Sequence, residues 1–146
     1  MNTINKAANR ENRLIFLGIF LFLLGLIVGL LAPALANPRL AVSSHIEGIM
    51  NGMFLVILGL IWSRIEVSER MQKINFLAAI YGTFANWAGI LIAAIFDGGK
   101  MLGIIAGGNE STALVEGIVT FALISLSIAM IIVSIITLIG LKRHMS

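Results

Sequence analysis

Residues 43–62 read SSHIEGIMNGMFLVILGLIW, and this stretch decides the fold class. Its second half is almost wholly apolar, as expected of a helix that spans a lipid bilayer. Its first half places an imidazole, a carboxylate and a carboxamide, on His45, Glu47 and Asn51, within about two helical turns. A charged group at the centre of a membrane helix costs about 2.5 to 3.5 kcal/mol, so each polar residue here needs a partner or a chemical purpose.

The composition of the whole chain is that of a membrane protein. Of its 146 residues, 59% are hydrophobic and only 12% are charged, and the length allows one transmembrane domain, residues 1–146. The chain has no cysteine, so disulfides, thiolate zinc sites and iron–sulfur centres are excluded, and a metal must bind through histidine or carboxylate. The net charge of +3 is small and spread over segment ends, so we expect no nucleic-acid partner.

Four apolar segments are long enough to cross a bilayer, at about residues 14–35, 41–62, 74–96 and 112–141. They predict an all-α integral membrane four-helix bundle. Most basic residues flank the two termini or the loop between the second and third segments; these are Lys6, Arg10, Arg13, Arg64, Arg70, Lys73, Lys142 and Arg143. The other two loops hold only Arg39 and Lys100. This bias predicts that both termini are cytoplasmic and that His45 lies near the outer end of its helix. The expected location is the inner membrane of a bacterium.

The first segment has a competing interpretation as a signal peptide. Basic residues precede an apolar run, and Ala34-Leu35-Ala36 follows it as a possible cleavage site. The apolar run Leu14 to Leu31 is longer than the usual core of about 7 to 15 residues, so we expect a transmembrane helix that ends at Pro33.

Small residues on the second segment predict a groove beside its histidine. Gly48 and Gly52 follow His45 at spacings of three and seven residues, which places all three on one side of a helix. Such a groove could admit a neighbouring helix or a flat macrocycle. The other histidine, His144, lies in the C-terminal tail, a bilayer away, so a haem held by His45 would keep an open sixth position.

The remaining polar residues at membrane depth allow two interpretations each. Glu47 and Asn51 share a different face of the second helix from the groove. Asn86, deep in the third helix, either bonds to another helix or contacts a bound molecule. Glu116, in the first turns of the fourth helix, either favours the positive helix end or serves a site.

Three motifs taken together resemble a known family. They are His45-x-x-Gly48-x-x-Asn51-Gly52 in the second span, Tyr81-Gly82-Thr83-Phe84-Ala85-Asn86-Trp87 in the third, and Glu116-Gly117-Ile118 opening the fourth. This combination resembles the small four-helix membrane isomerases, hydroxylaminobenzene mutase and styrene oxide isomerase, over essentially all of the chain after residue 13. The stretch from Tyr81 to Trp87 looks closer to the mutase branch.

The resemblance implies a fold, a cofactor and a reaction. Styrene oxide isomerases are homotrimers that hold haem b at subunit boundaries through a histidine matching His45, and an asparagine matching Asn51 borders the substrate. Ferric iron acts there as a Lewis acid. In the mutase branch, an arylhydroxylamine such as hydroxylaminobenzene would become a 2-aminophenol with no net oxidation. The epoxide enzymes also use a tyrosine of the third helix, but the register of Tyr81 against Asn86 differs, so the roles of these two residues stay open.

We therefore expect a membrane isomerase with a small aromatic substrate, lipid and copies of itself as partners. The expected catalytic residues are Asn51, Asn86 and Tyr81; the expected cofactor-binding residues are His45 as metal ligand, with Gly48 and Gly52; the expected substrate-binding residues are Glu47, Trp87 and Glu116. Three alternatives use the same architecture: an aryl epoxide isomerase that yields an aldehyde, a small transporter in which Glu47 and Glu116 titrate, and a subunit that only assembles into a larger complex. The last leaves His45 and Asn51 unexplained.

Overall fold

The computed structural model describes residues 3–146, with side chains described from residue 8 onward, and this part of the chain is helical without any strand. Four long helices are α1 (Thr3–Leu31), α2 (Pro38–Leu60), α3 (Glu69–Phe96) and α5 (Ala113–His144), and α4 (Gly103–Ala106) is a single turn. Short 3-10 turns follow α1, α2 and α3, at Ala32–Ala34, Trp62–Arg64 and Lys100–Leu102. All four long helices are apolar enough to span a membrane, which confirms the four predicted spans.

The helices extend beyond the predicted spans at the end of the molecule that carries both termini, here called the terminal end. Helix α3 begins at Glu69, five residues before the predicted span, and α5 continues to His144. Polar contacts hold these extensions together: Arg10 pairs with Glu69, and the His144 Nδ1 lies 2.7 Å from a Glu66 carboxylate oxygen. Hydropathy detects only the apolar part of each helix, so it misses such extensions.

The opposite end carries the connections 32–37 and 97–112 and is called the Asn37 end. Asn37 caps α2 by accepting a hydrogen bond from the Leu40 backbone N–H (3.2 Å), with Pro38 as the first helical residue. Its side-chain amide also donates to Asp97 (2.8 Å) and to the Ala106 carbonyl (3.1 Å). One asparagine therefore joins the connection after α1 to the connection after α3.

The four long helices pack as an open row in the order α1, α2, α3, α5. Helix α2 packs on α1 and α3, and α3 packs on α5 and also touches α1, whereas the described residues of α1 and α5 make no contact with each other. Two buried clusters fill the row. The cluster nearer the terminal end consists of Leu14, Leu21, Leu55, Leu58, Trp62, Ile65, Ala79 and Val133. The cluster nearer the Asn37 end consists of Ala32, Leu40, Ala41, Ala93, Ala94, Ala106 and Val119.

Glycine contacts bring α1 and α2 unusually close. A methyl group added to Gly52 would lie 2.6 Å from the Gly18 carbonyl oxygen, and one added to Gly48 would lie 2.6 Å from the Gly25 Cα. Backbones that approach this closely gain van der Waals contact, which drives helix association in lipid. Helix α1 is thus locked to α2 along much of its length.

Candidate functional site

His45 lies on α2 and turns towards α1. Its Nδ1 lies 2.8 Å from the Gly25 carbonyl oxygen, and because a carbonyl only accepts, Nδ1 donates. The ring fits because Gly29 has no side chain: a Cβ there would lie 2.5 Å from Nδ1. In the neutral ring, this bond leaves the lone pair on Nε2, which makes no hydrogen bond within the described residues.

The predicted groove at Gly48 and Gly52 is occupied in large part by a neighbouring helix, and the role of these glycines in holding a cofactor stays a prediction. Helix α1 fills it, with Gly25 against Gly48 and Gly18 against Gly52. Spacing along α2 located the small residues correctly, but it could not tell whether a helix or a ligand lies against them. Both glycines serve helix packing.

Glu47 holds a cluster of amides on the other side of α2. Its Oε2 accepts hydrogen bonds from the Asn86 Nδ2 (2.6 Å) and from the Asn51 Nδ2 (3.1 Å). No cation pairs with Glu47 within the described part of the chain. Asn51 is buried, whereas Glu47 and Asn86 are partly exposed. The structure thus brings together three of the predicted site residues, from α2 and α3, and stabilises the carboxylate by amide donors alone.

Trp87 lies where α1, α2 and α3 meet. Its backbone carbonyl accepts a hydrogen bond from the Ser44 hydroxyl (3.1 Å), and the edge of its indole lies against Gly48. The indole N–H is buried and has no hydrogen-bond partner among the described residues. Such an orphan donor costs on the order of 1 to 3 kcal/mol. The predicted neighbourhood of Trp87 and Asn86 therefore exists, but the two side chains occupy different sides of α3.

Tyr81 lies away from this cluster within one chain. Its hydroxyl oxygen is 2.6 Å from the Ser125 Oγ on α5, and its side chain is 43% exposed. Five residues separate Tyr81 from Asn86, which turns the two side chains about 140° apart around α3. A single chain does not bring the tyrosine to the amides.

Glu116 has a structural role at the Asn37 end. Its carboxylate accepts from the backbone N–H groups of Gly99 (3.0 Å), Lys100 (3.0 Å) and Ser111 (2.9 Å). These contacts tie the connection 97–112 to the first turns of α5. The predicted substrate contact gains no support from this placement, because both oxygens are used by the backbone.

Sequence reasoning missed the other polar ties at this end. Asp97 ends α3 in a left-handed conformation (φ 53°) and accepts from Asn37 and Asn109. The signal available in the sequence was an asparagine directly before Pro38 and an aspartate before two glycines, both typical of helix ends.

His45 and Glu47 diverge within one chain. Two residues apart on a helix, their side chains point about 200° apart, the first towards α1 and the second towards α3. The described residues contain no group of three His, Cys, Asp or Glu side chains that could bind a bare ion.

Comparison with known proteins identifies the family and two similar relatives. The profile of the family described as styrene oxide isomerase matches residues 10–142. The chain is 48% identical over 143 residues to hydroxylaminobenzene mutase HabB of Ectopseudomonas oleovorans, covering 97% of this chain and 87% of the relative. It is 47% identical over 127 residues to hydroxylaminobenzene mutase HabA of the same organism, covering 86% of this chain and 94% of the relative. No solved structure matches the chain significantly.

Proposed function

Because this chain belongs to the styrene oxide isomerase family and is a membrane isomerase, we propose that its substrate is an arylhydroxylamine such as hydroxylaminobenzene, which it converts to 2-aminophenol. The observation that carries this choice is that both relatives, similar over most of the chain, are named hydroxylaminobenzene mutases. The reaction breaks the N–O bond, moves the oxygen to the ortho ring carbon and returns the proton of that carbon to nitrogen. Atoms and electrons balance without an oxidant.

Haem b is the proposed cofactor, and the imidazole of His45 would bind its iron. A macrocycle supplies four nitrogens and needs one imidazole, which suits a chain whose described residues offer no cluster for a bare ion. The hydrogen bond from His45 Nδ1 to the Gly25 carbonyl is the anchor that metal-binding histidines commonly have, and it leaves Nε2 free to coordinate. When bound, ferric haem supplies a Lewis acid that weakens the N–O bond.

The amides of Asn51 and Asn86 orient the substrate in this proposal. Glu47 fixes both of them by accepting their N–H groups, so their carbonyl oxygens are held in place before a substrate arrives. The surrounding α2 and α3 residues are largely apolar, which favours an aromatic ring and excludes the water that would trap a cation-like intermediate. Trp87, which lies against Gly48 on another side of α3, stays a proposed substrate contact.

The proposed assembly is a homotrimer in the inner membrane of a bacterium, with both termini in the cytoplasm. Its support is geometric: His45 and Glu47 point away from each other in one chain, so a second copy is needed to bring an imidazole near the amides. The open row also leaves large apolar faces on α1 and α5, with Phe16 70% and Phe121 71% exposed, that either lipid or another copy can cover. At such a boundary Tyr81 can also reach a site.

Absorption spectroscopy tests the cofactor and product analysis tests the substrate. Detergent-purified protein is expected to show a Soret band that His45→Ala abolishes and that His144→Ala, the matched loss of the other histidine, retains. Incubation with phenylhydroxylamine is expected to give 2-aminophenol faster than styrene oxide gives phenylacetaldehyde. A colourless but fully active preparation contradicts the haem proposal, and faster turnover of styrene oxide contradicts the substrate proposal.

The second candidate substrate is an aryl epoxide, favoured by the description of the matching family profile. Both candidates are isomerisations of a small aromatic compound, so the same incubation separates them. The transporter hypothesis loses its basis, because the chain is an isomerase and the Glu116 carboxylate is engaged by three backbone amides.

A further inference from the structure

The orientation of the two amides beside Glu47 follows from chemistry. A carboxylate oxygen accepts hydrogen bonds, so the amide group that faces it must be the NH₂ end and not the carbonyl end. The Asn86 Nδ2 at 2.6 Å and the Asn51 Nδ2 at 3.1 Å both meet the same Glu47 Oε2. One carboxylate oxygen thereby fixes two side chains from two helices.

This arrangement leaves only acceptors for a ligand. The Oδ1 atoms of Asn51 and Asn86 and the second oxygen of Glu47 make no hydrogen bond within the described residues, and none of the three is sealed off from its surroundings. Three acceptor oxygens therefore remain unpaired in one cluster. Groups of this kind recover their lost hydration only from a ligand that carries donors.

We propose that Glu47 determines the substrate class by holding Asn51 and Asn86 with their carbonyl oxygens towards the ligand, so that the site selects compounds with N–H and O–H donors. The inference rests on the proposed function and deepens it. An arylhydroxylamine carries one N–H and one O–H, whereas an epoxide oxygen only accepts. The cluster that binds an arylhydroxylamine would place its unpaired acceptor oxygens against the oxygen of an epoxide, which cannot donate to them.

A purely structural role explains Glu47 less well. The link between α2 and α3 is already made nearby by the Ser44 hydroxyl and the Trp87 carbonyl (3.1 Å). The carbonyl oxygen of a neutral glutamine could accept from both amides without the cost of placing a carboxylate in a membrane. What glutamine cannot do is accept from two amides while presenting no donor of its own.

Ligand preference in the purified full-length holoprotein tests the proposal. The probes are 2-aminophenol, which carries both donors, and 1,2-difluorobenzene, which has a similar shape and none. Binding of each is measured by equilibrium dialysis to wild type, to Glu47→Gln and to Glu110→Gln. Glu110 is an exposed loop residue 3.8 Å from Lys100, and its substitution makes the same chemical change far from the cluster.

The expected result is a loss of preference in one variant only. Glu47→Gln reduces the ratio of the two affinities by about 10- to 100-fold, because the glutamine NH₂ group replaces the free carboxylate oxygen and presents a donor, whereas Glu110→Gln leaves the ratio within about threefold of wild type. The solvation of each probe cancels between variants. The ratio of kcat/KM for phenylhydroxylamine over styrene oxide is expected to fall in the same variant.

A second variant guards against misfolding of the first. In Glu47→Gln combined with Asn86→Asp, the carboxylate moves to α3 and the glutamine amide donates to it, so the cluster again presents acceptors and the preference is expected to return. An unchanged preference in Glu47→Gln, or no recovery in the double variant when it is folded, overturns the inference. If wild type converts neither substrate, the proposed function fails, and the binding ratios still decide the role of Glu47.

Discussion

His45 has its position because two residues of α1 lack side chains. Gly25 exposes the carbonyl that accepts from Nδ1, and Gly29 leaves the space that the imidazole fills. Its neighbour on α2, Glu47, faces the other way and is used by two amides. The polar residues of the 43–52 stretch therefore serve two different surfaces, each with its own partners.

Substitution of Gly29 tests the first surface. In Gly29→Ala the new methyl group would lie 2.5 Å from Nδ1, so the ring must move and its bond to Gly25 breaks. We expect a loss of about 1 to 3 kcal/mol in stability, from overpacking, together with a weaker Soret band. Thermal unfolding and absorbance measure these.

Gly117→Ala is the matched control, because nothing lies within 4 Å of a methyl group added to that helical glycine. It is expected to be neutral or to stabilise α5 by up to about 1 kcal/mol. Equal melting temperatures for the Gly29 and Gly117 variants contradict the proposed fit of the imidazole.

At the scale of helices, length and hydropathy sufficed to predict all four spans, because each must cover a bilayer. The same reasoning found the face of α2 that carries Gly48 and Gly52. It failed to say what covers that face, because a glycine stripe suits a helix and a ligand equally well. The contact between Glu47 and Asn86 joins residues 39 positions apart, and no local sequence pattern predicts such a contact.

Glu116 holds the connection between α3 and α5 through its carboxylate. We expect Glu116→Gln to destabilise this connection by about 1 to 3 kcal/mol, because a charged acceptor of three backbone N–H groups is lost. Limited proteolysis within 97–112 is expected to become faster.

Glu110→Gln removes a charge from the same connection as a control, and its exposed pair with Lys100 is worth little. Equal cleavage rates in the two variants would show that Glu116 does not hold the connection. Retained product formation in Glu116→Gln is expected, since its carboxylate lies apart from the amide cluster.

For the molecule as a whole, the decisive feature is that the row of helices stays open. The described residues of α1 and α5 do not meet, and the imidazole and the amide cluster lie on opposite sides of α2. A closed bundle of four helices would have buried these surfaces within one chain. The open row instead leaves them for lipid or for neighbouring copies.

Complementation between two inactive variants tests whether copies share a site. His45→Ala and Asn51→Ala chains are co-expressed with different tags and the mixed oligomers are purified. If a site takes its imidazole from one chain and its amides from the next, roughly a third of wild-type activity returns in the purified mixed trimers, because one of the three boundaries in each has both native residues. Oligomers that mix but stay inactive contradict a shared site.

The contact of Gly18 and Gly25 with Gly52 and Gly48 limits how this protein can change. No amino acid is smaller than glycine, so bulk gained on one helix has no compensating substitution on the other. The lipid-facing residues of the first hairpin can drift in sequence, while these four positions cannot drift even in pairs. The distance from the imidazole to the carbonyl that orients it is thus set by positions that only glycine can occupy.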